Sequence, residues 1–177
     1  RSRGLGDVYK RQFRDCANIK EISIAEGVET IGENAFLGCY NLETINFPST
    51  IESVGTNVVK NTIWEKNEYE QYGAVIINNI LSSVQNVQSE YKLPDGIKKI
   101  ASGVFYGNTQ LTKIDMGSSL EEIGTYAFAG CTGITELSIP SSVKNIGYGA
   151  FSQCTNLTVS VPDTVGQVGQ ELSLIHI

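Results

Sequence analysis

The chain has 177 residues, 19 acidic against 13 basic side chains for a net charge near −6, one histidine, four cysteines and 41% hydrophobic content. That is enough apolar material for a sizeable core in one domain, and so acidic a body is a poor partner for nucleic acid. No apolar run approaches the ~18 residues that a membrane-spanning helix requires, so no transmembrane segment is expected.

The first segment, residues 1–12, carries Arg1, Arg3, Lys10 and Arg11 against Asp7 and lacks the pattern that follows. Together with residues 172–177 it reads as translated sequencing-adapter sequence, of the kind found at the ends of assembled metagenomic reading frames. Both flanks are therefore set aside as non-native, and further coils are expected to be missing beyond each of them. Setting them aside leaves a body with a charge of about −9 and removes His176, the only histidine. Without it there is no usual general base near neutral pH and no imidazole to hold a metal.

From Phe13 onward a period takes over. Phe13, Phe36, Phe105, Phe128 and Phe151 fall on one 23-residue grid, with its two intermediate positions occupied by Val59 and Ser82 instead. Cys16, Cys39, Cys131 and Cys154 each follow a phenylalanine by three residues, and Asn108 holds that slot after Phe105. Self-similarity at this period predicts a stacked solenoid, because a coil of that length cannot bury its apolar side without neighbours. Residues 13–59 form the first run of coils. Within each coil, apolar residues recur nine and eleven positions after the phenylalanine, as in Ile22 and Ile24, Ile45 and Phe47, or Leu137 and Ile139. That alternation predicts a strand, which Pro48, Pro94 and Pro140 would end by lacking an N–H. Gly32, Gly55, Gly124 and Gly147 predict a tight bend with close approach between walls, and Gly38, Gly107 and Gly130 a turn into the cysteine slot. Stacking in register gives one parallel sheet, with short extended or 3-10 segments on the other side.

Residues 60–92 leave the grid and concentrate aromatics: Trp64, Tyr69, Tyr72 and Tyr91. Ala74–Ile77 and Ile80–Val84 flank Asn78-Asn79, a pair suited to a two-residue turn, so a β-hairpin insert is expected here. Its aromatics either cover an interrupted core or form a contact site for glycan or protein, with Trp64, Tyr69 and Tyr72 as the candidate residues. Residues 93–171 return to coils, the last of them one residue short.

The cysteines, spaced 23, 92 and 23 residues apart, lack the close pairs of a zinc site. Coils ~4.8 Å apart bring Cys16 near Cys39 and Cys131 near Cys154, but stacked parallel side chains orient poorly for a disulfide, and buried free thiols are the expectation. No phosphate loop or nucleophile elbow appears. No catalytic, cofactor-binding or metal-binding residue is assigned, and the chain is expected not to be an enzyme. The acidic pair Glu121-Glu122 reads as a solvated face. The candidate binding surface is the exposed side of the sheet, where Glu21, Ser23, Glu43, Asn46, Lys113, Asp115, Glu136 and Ser138 present a polar face of mixed charge.

The fullest repeat is Gly133-Ile-Thr-Glu-Leu-Ser-Ile-Pro-Ser-Ser-Val-Lys-Asn-Ile-Gly-Tyr-Gly-Ala-Phe-Ser-Gln-Cys154. It resembles the unit of the BspA-like leucine-rich repeat family, and the resemblance extends from residue 13 to about residue 171. It implies a mainly β leucine-rich-repeat solenoid, displayed on a bacterial or protist cell surface or secreted, that binds host matrix protein, another cell or a glycan without catalysis. Inserts like residues 60–92 occur in that family. Two other roles fit the same coils: a passive stalk or accessory module of a larger enzyme, and a carbohydrate-active parallel β-helix. The latter is disfavoured because such lyases need a basic site residue, and Arg14 is the only arginine between the flanks.

Overall fold

The computed structural model describes residues 11–170. His176, most of the leading flank and the whole of the trailing flank lie outside the described residues. The chain forms two compact units, divided between Ser83 and Val84. The fold is the expected mainly β solenoid of 23-residue coils, to which one helix is added among the described residues.

In the first unit, β1 (Glu21–Ser23) pairs in parallel with β3 (Thr44–Asn46), and β2 (Thr30–Ile31) with β4 (Ser53–Val54). The register joins Ile22 to Ile45 and Ile31 to Val54, each a displacement of one repeat. Next come the helix α1 (Ile63–Tyr72) and the strands β5 (Ala74–Ile77) and β6 (Ile80–Val84), joined through Asn78 at φ 56° and Asn79. The hairpin is thus where the sequence places it. The helix is an addition that the sequence reading does not contain. Thr62 caps it by accepting the Glu65 N–H at 2.9 Å, Glu65 accepts the Asn61 N–H at 2.8 Å, and Gly73 closes it at φ 69°. This is a variant of the capping box, ended by a left-handed glycine.

The second unit repeats the plan. β7 (Glu90–Lys92) pairs with β9 (Lys113–Asp115), and β11 (Glu136–Ser138) with β13 (Thr158–Ser160). A second parallel ladder runs through β8 (Lys99–Ile100), β10 (Glu122–Ile123), β12 (Asn145–Ile146) and β14 (Gln167–Val168). The extended segments expected opposite the first sheet are therefore a sheet in their own right. Pairing of Glu136 with Thr158 and Asn145 with Gln167 locates the one-residue shortening in the last coil.

A third wall carries the phenylalanines. In the second unit, Phe105 N–H donates to the Ala127 carbonyl and Phe128 N–H to that of Ala150, both at 2.8 Å. Left-handed residues stand two before and two after the phenylalanine slot: Arg11 and Asp15, Asn34 and Gly38, Asn57 and Asn61, Gly103 and Gly107, Tyr126 and Gly130, Gly149 and Gln153. The paired bends fold the chain around a buried aromatic column. Phe105 stacks on Phe128 at 4.9 Å and Phe128 on Phe151 at 5.5 Å, with interplanar angles of 5° and 12°. In the first unit Phe13 stacks on Phe36 at 5.6 Å, and the vacant slot is filled by buried Val59.

The cysteines serve the same wall. The thiols of Cys39, Cys131 and Cys154 donate to the carbonyls of Phe13, Phe105 and Phe128 in the preceding coil, at 2.8–3.0 Å. Asn108 instead accepts the N–H groups of Gln110 and Leu111, each at 3.0 Å. All four cysteines are free thiols, and Cys16, unlike the other three, is only half-buried. Burial raises the thiol pKa of Cys39 and Cys154 and pushes that of Cys131 up to about 12. Gly124 and Gly147 are needed for close approach and not for their bend: a Cβ on Gly124 would lie 2.7 Å from the Ile100 carbonyl oxygen.

Two outcomes are expected. Gly124→Ala should cost about 1–3 kcal/mol in urea denaturation, the range for a methyl forced into packed backbone. In mildly alkaline buffer a thiol reagent should label Cys16 first and Cys131 only after denaturant is added, which peptide mapping by mass spectrometry would read.

Candidate binding surface

The alternation that buries one side of each short strand leaves its flanking side chains in solvent. In the second unit β7, β9 and β11 expose Glu90 and Lys92, Lys113 and Asp115, and Glu136 and Ser138, around half-buried Tyr91 and Ile114 and buried Leu137. These residues, with Met116, Gly117 and Pro140, line a concavity of about 790 Å³. Four of the candidate residues, Lys113, Asp115, Glu136 and Ser138, thus come together. The parallel register sets Glu90 opposite Lys113 and Lys92 opposite Asp115, so opposite charges face each other across the ladder. Asp115 also accepts the Gly117 N–H at 2.9 Å, with Gly117 at φ 63° where Pro94 and Pro140 stand in other coils. β9 and β11 belong to separate two-stranded sheets.

In the first unit Glu21, Ser23, Glu43 and Asn46 are all exposed on the corresponding face. Asn46 donates to the Ser23 hydroxyl at 3.0 Å, which ties these two to each other. The aromatics of α1 are divided. Trp64 is half-buried, edge-on to Phe47 at 5.6 Å, and Tyr69 is half-buried and donates to the Ser83 hydroxyl at 2.8 Å. Tyr72 is 59% exposed and accepts from the Gln71 amide. Tyr91, read as part of the insert, instead occupies a regular strand, edge-on to Phe105 at 5.3 Å. Counting the grid from Ser82 would have placed it and its neighbours Glu90 and Lys92 on the sheet face.

Electrostatics away from this face is structural. Glu121 sits between Lys144 at 2.7 Å and Lys98 at 3.4 Å, and hydrogen bonding to Lys144 first, then Lys98, holds its carboxyl below the ordinary range. Glu122 meets Lys99 at 3.1 Å. On α1, desolvation raises the pKa of Glu65, against the lowering effect of its hydrogen bond from Asn61, and raises that of Glu68. Among the described residues no group of three or more His, Cys, Asp or Glu side chains is placed to hold a metal ion, and no helix is long and apolar enough to cross a membrane.

Two overlapping stretches, residues 6–90 and 74–172, match the family model described as BspA type leucine rich repeat region, in six copies. No curated protein shows significant similarity to the chain. Among solved structures, the chain is similar to a leucine rich cell surface protein from Faecalibacterium prausnitzii A2-165, with 18% identity, a TM-score of 0.47 and coverage of 94% of this chain and 61% of that one. It is also similar to a leucine-rich repeat protein from Bacteroides ovatus, with 22% identity, a TM-score of 0.45 and coverage of 89% and 46%. The pneumococcal vaccine antigen PcpA matches at 19% identity and a TM-score of 0.41, over 88% of this chain and 59% of that one. The chain therefore spans less than two thirds of each of these proteins.

A carboxyl with a raised pKa makes the folded state bind a proton more tightly than the unfolded chain, so its charge costs stability as pH rises through the folded pKa. Glu68→Gln is expected to raise the melting temperature at neutral pH and to leave it unchanged below the ordinary glutamate range. Solvent screening of a group that is only half-buried keeps the gain under about 1 kcal/mol. Melting curves followed by circular dichroism at the two pH values check the sign.

Proposed function

Because the chain belongs to the BspA-type leucine-rich repeat family, we propose that it is a non-catalytic binding scaffold from a secreted or cell-surface protein. Its partner is a protein of the host matrix or of another cell, held on the exposed sheet face. The observation that carries this reading is the concavity over β7, β9 and β11, where charges of both signs alternate around a floor of Tyr91, Ile114 and Leu137. Alternating charge gives a protein partner register and orientation, and the apolar floor gives it area to bury. The repeat plan suits such a role, since each added coil extends the surface without altering the core.

The test is biolayer interferometry of the chain against immobilised collagen, laminin and fibronectin, alongside the double variant Lys113→Glu, Glu136→Lys. That variant conserves net charge and alters two exposed side chains, so it should stay folded, with at most a small drop in melting temperature from the like charges it sets against Glu90. Binding to whichever matrix protein the parent captures is expected to fall roughly tenfold or more. Undiminished binding would remove the sheet face from the reading and leave the exposed part of the insert, around Tyr72, as the contact.

A further inference from the structure

In the second unit charge is confined to one part of each coil. Glu90, Lys92, Lys113, Asp115, Glu121, Glu122, Glu136 and Lys144 all lie on the strands or on the links between them, while residues 101–112, 124–135 and 146–157 contain no charged side chain. These three stretches make up the phenylalanine-bearing turn wall. The corresponding wall of the first unit carries Arg14, Asp15, Glu33 and Lys60. In place of charge, the wall of the second unit has serine, threonine, asparagine and glutamine, together with Tyr106, Tyr126 and Tyr148, exposed by 67%, 37% and 40%.

Tyr126 is the informative member. It occupies the left-handed slot two residues before phenylalanine, at φ 53°, where the equivalent positions within the repeats hold Asn34, Asn57, Gly103 and Gly149, and Arg11 of the leading flank stands before Phe13 at φ 55°. Asparagine and glycine enter that region readily, whereas a bulky residue does so only at an energetic cost. Backbone strain of this kind clusters where a side chain is wanted for function. The neighbouring coil accommodates the ring: Gly149 leaves the space that a Cβ would take from it. Tyr148 then meets it at right angles, with centroids 5.4 Å apart and planes at 89°. Two exposed phenol rings form a corner within a neutral, hydroxyl- and amide-bearing wall.

We infer that this turn wall is a second binding site, and that its ligand is a neutral carbohydrate chain. A pyranose ring offers an apolar C–H face to stack on an aromatic ring, and hydroxyls to exchange hydrogen bonds with phenol, amide and hydroxyl groups. A wall without charge has nothing to attract a phosphate, sulfate or uronate group, or to pay for desolvating one. The inference goes beyond the protein-binding reading and uses a different wall of the coil.

The experiment is isothermal titration of the 177-residue chain with cellohexaose, maltohexaose and mannohexaose, with oligogalacturonate as the acidic control. Binding of at least one neutral oligosaccharide and not of the control is expected. Tyr126→Asn installs the residue found at two of the equivalent slots, Asn34 and Asn57, so it should melt at the same or a higher temperature while losing roughly tenfold or more in sugar affinity, and Tyr148→Ala should lose affinity likewise. The sheet-face double variant Lys113→Glu, Glu136→Lys should bind sugar as the parent does, which separates failure of one site from failure of the other. The inference is overturned if none of the three neutral sugars binds, if the acidic control binds equally well, or if a folded Tyr126→Asn chain keeps its affinity.

Discussion

A coil of this protein finds the partners for its inward-bound backbone groups on the coils beside it. The Gly55 N–H reaches the Ile31 carbonyl, Gly124 reaches Ile100, and on the opposite wall Phe128 reaches Ala150, each displaced by about one repeat. No coil can satisfy these groups alone, and unpaired buried amides are too costly to keep. Constant register between neighbours is therefore the condition on which the rest depends. The phenylalanine column, the thiol-to-carbonyl bonds and the glycines that let backbones touch all repeat because that displacement repeats.

The same constraint explains which side chains are free to vary. Residues inside the column and under the strands are held to a shape, and Cys39, Cys131 and Cys154 there are small buried donors whose burial disfavours the thiolate. Side chains flanking each strand are released to solvent, and register then decides what meets what. Glu90 faces Lys113 and Lys92 faces Asp115 because their strands are displaced by one repeat. A binding face in such a protein is assembled across coils, from residues that are distant in the chain and individually unremarked.

Where the repeat is interrupted, local rules take over. Val59 still fills the aromatic slot and Thr62 the cysteine slot, but Thr62 then turns its hydroxyl to the Glu65 N–H and starts a helix. The signal was present as Thr62-x-x-Glu65 with Gly73 ten residues on from Ile63. It was masked because the segment lacks the apolar stripe by which a helix is usually recognised; none of its residues is fully buried. The hairpin after it was legible, since Asn78-Asn79 between two apolar runs leaves the backbone few alternatives.

The period, the core positions, the strand preceding each proline and the class of fold are all legible in the chain of residues, because every coil restates them and the hydrophobic effect needs only their spacing. The second parallel ladder, the gathering of Lys113, Asp115, Glu136 and Ser138 around one concavity, and the seating of Tyr126 against Gly149 and Tyr148 emerge only once the coils are stacked. These features depend on the alignment of one coil with the next and on backbone angles set by that alignment. A left-handed tyrosine looks like any other surface tyrosine until its neighbours in the stack are in place.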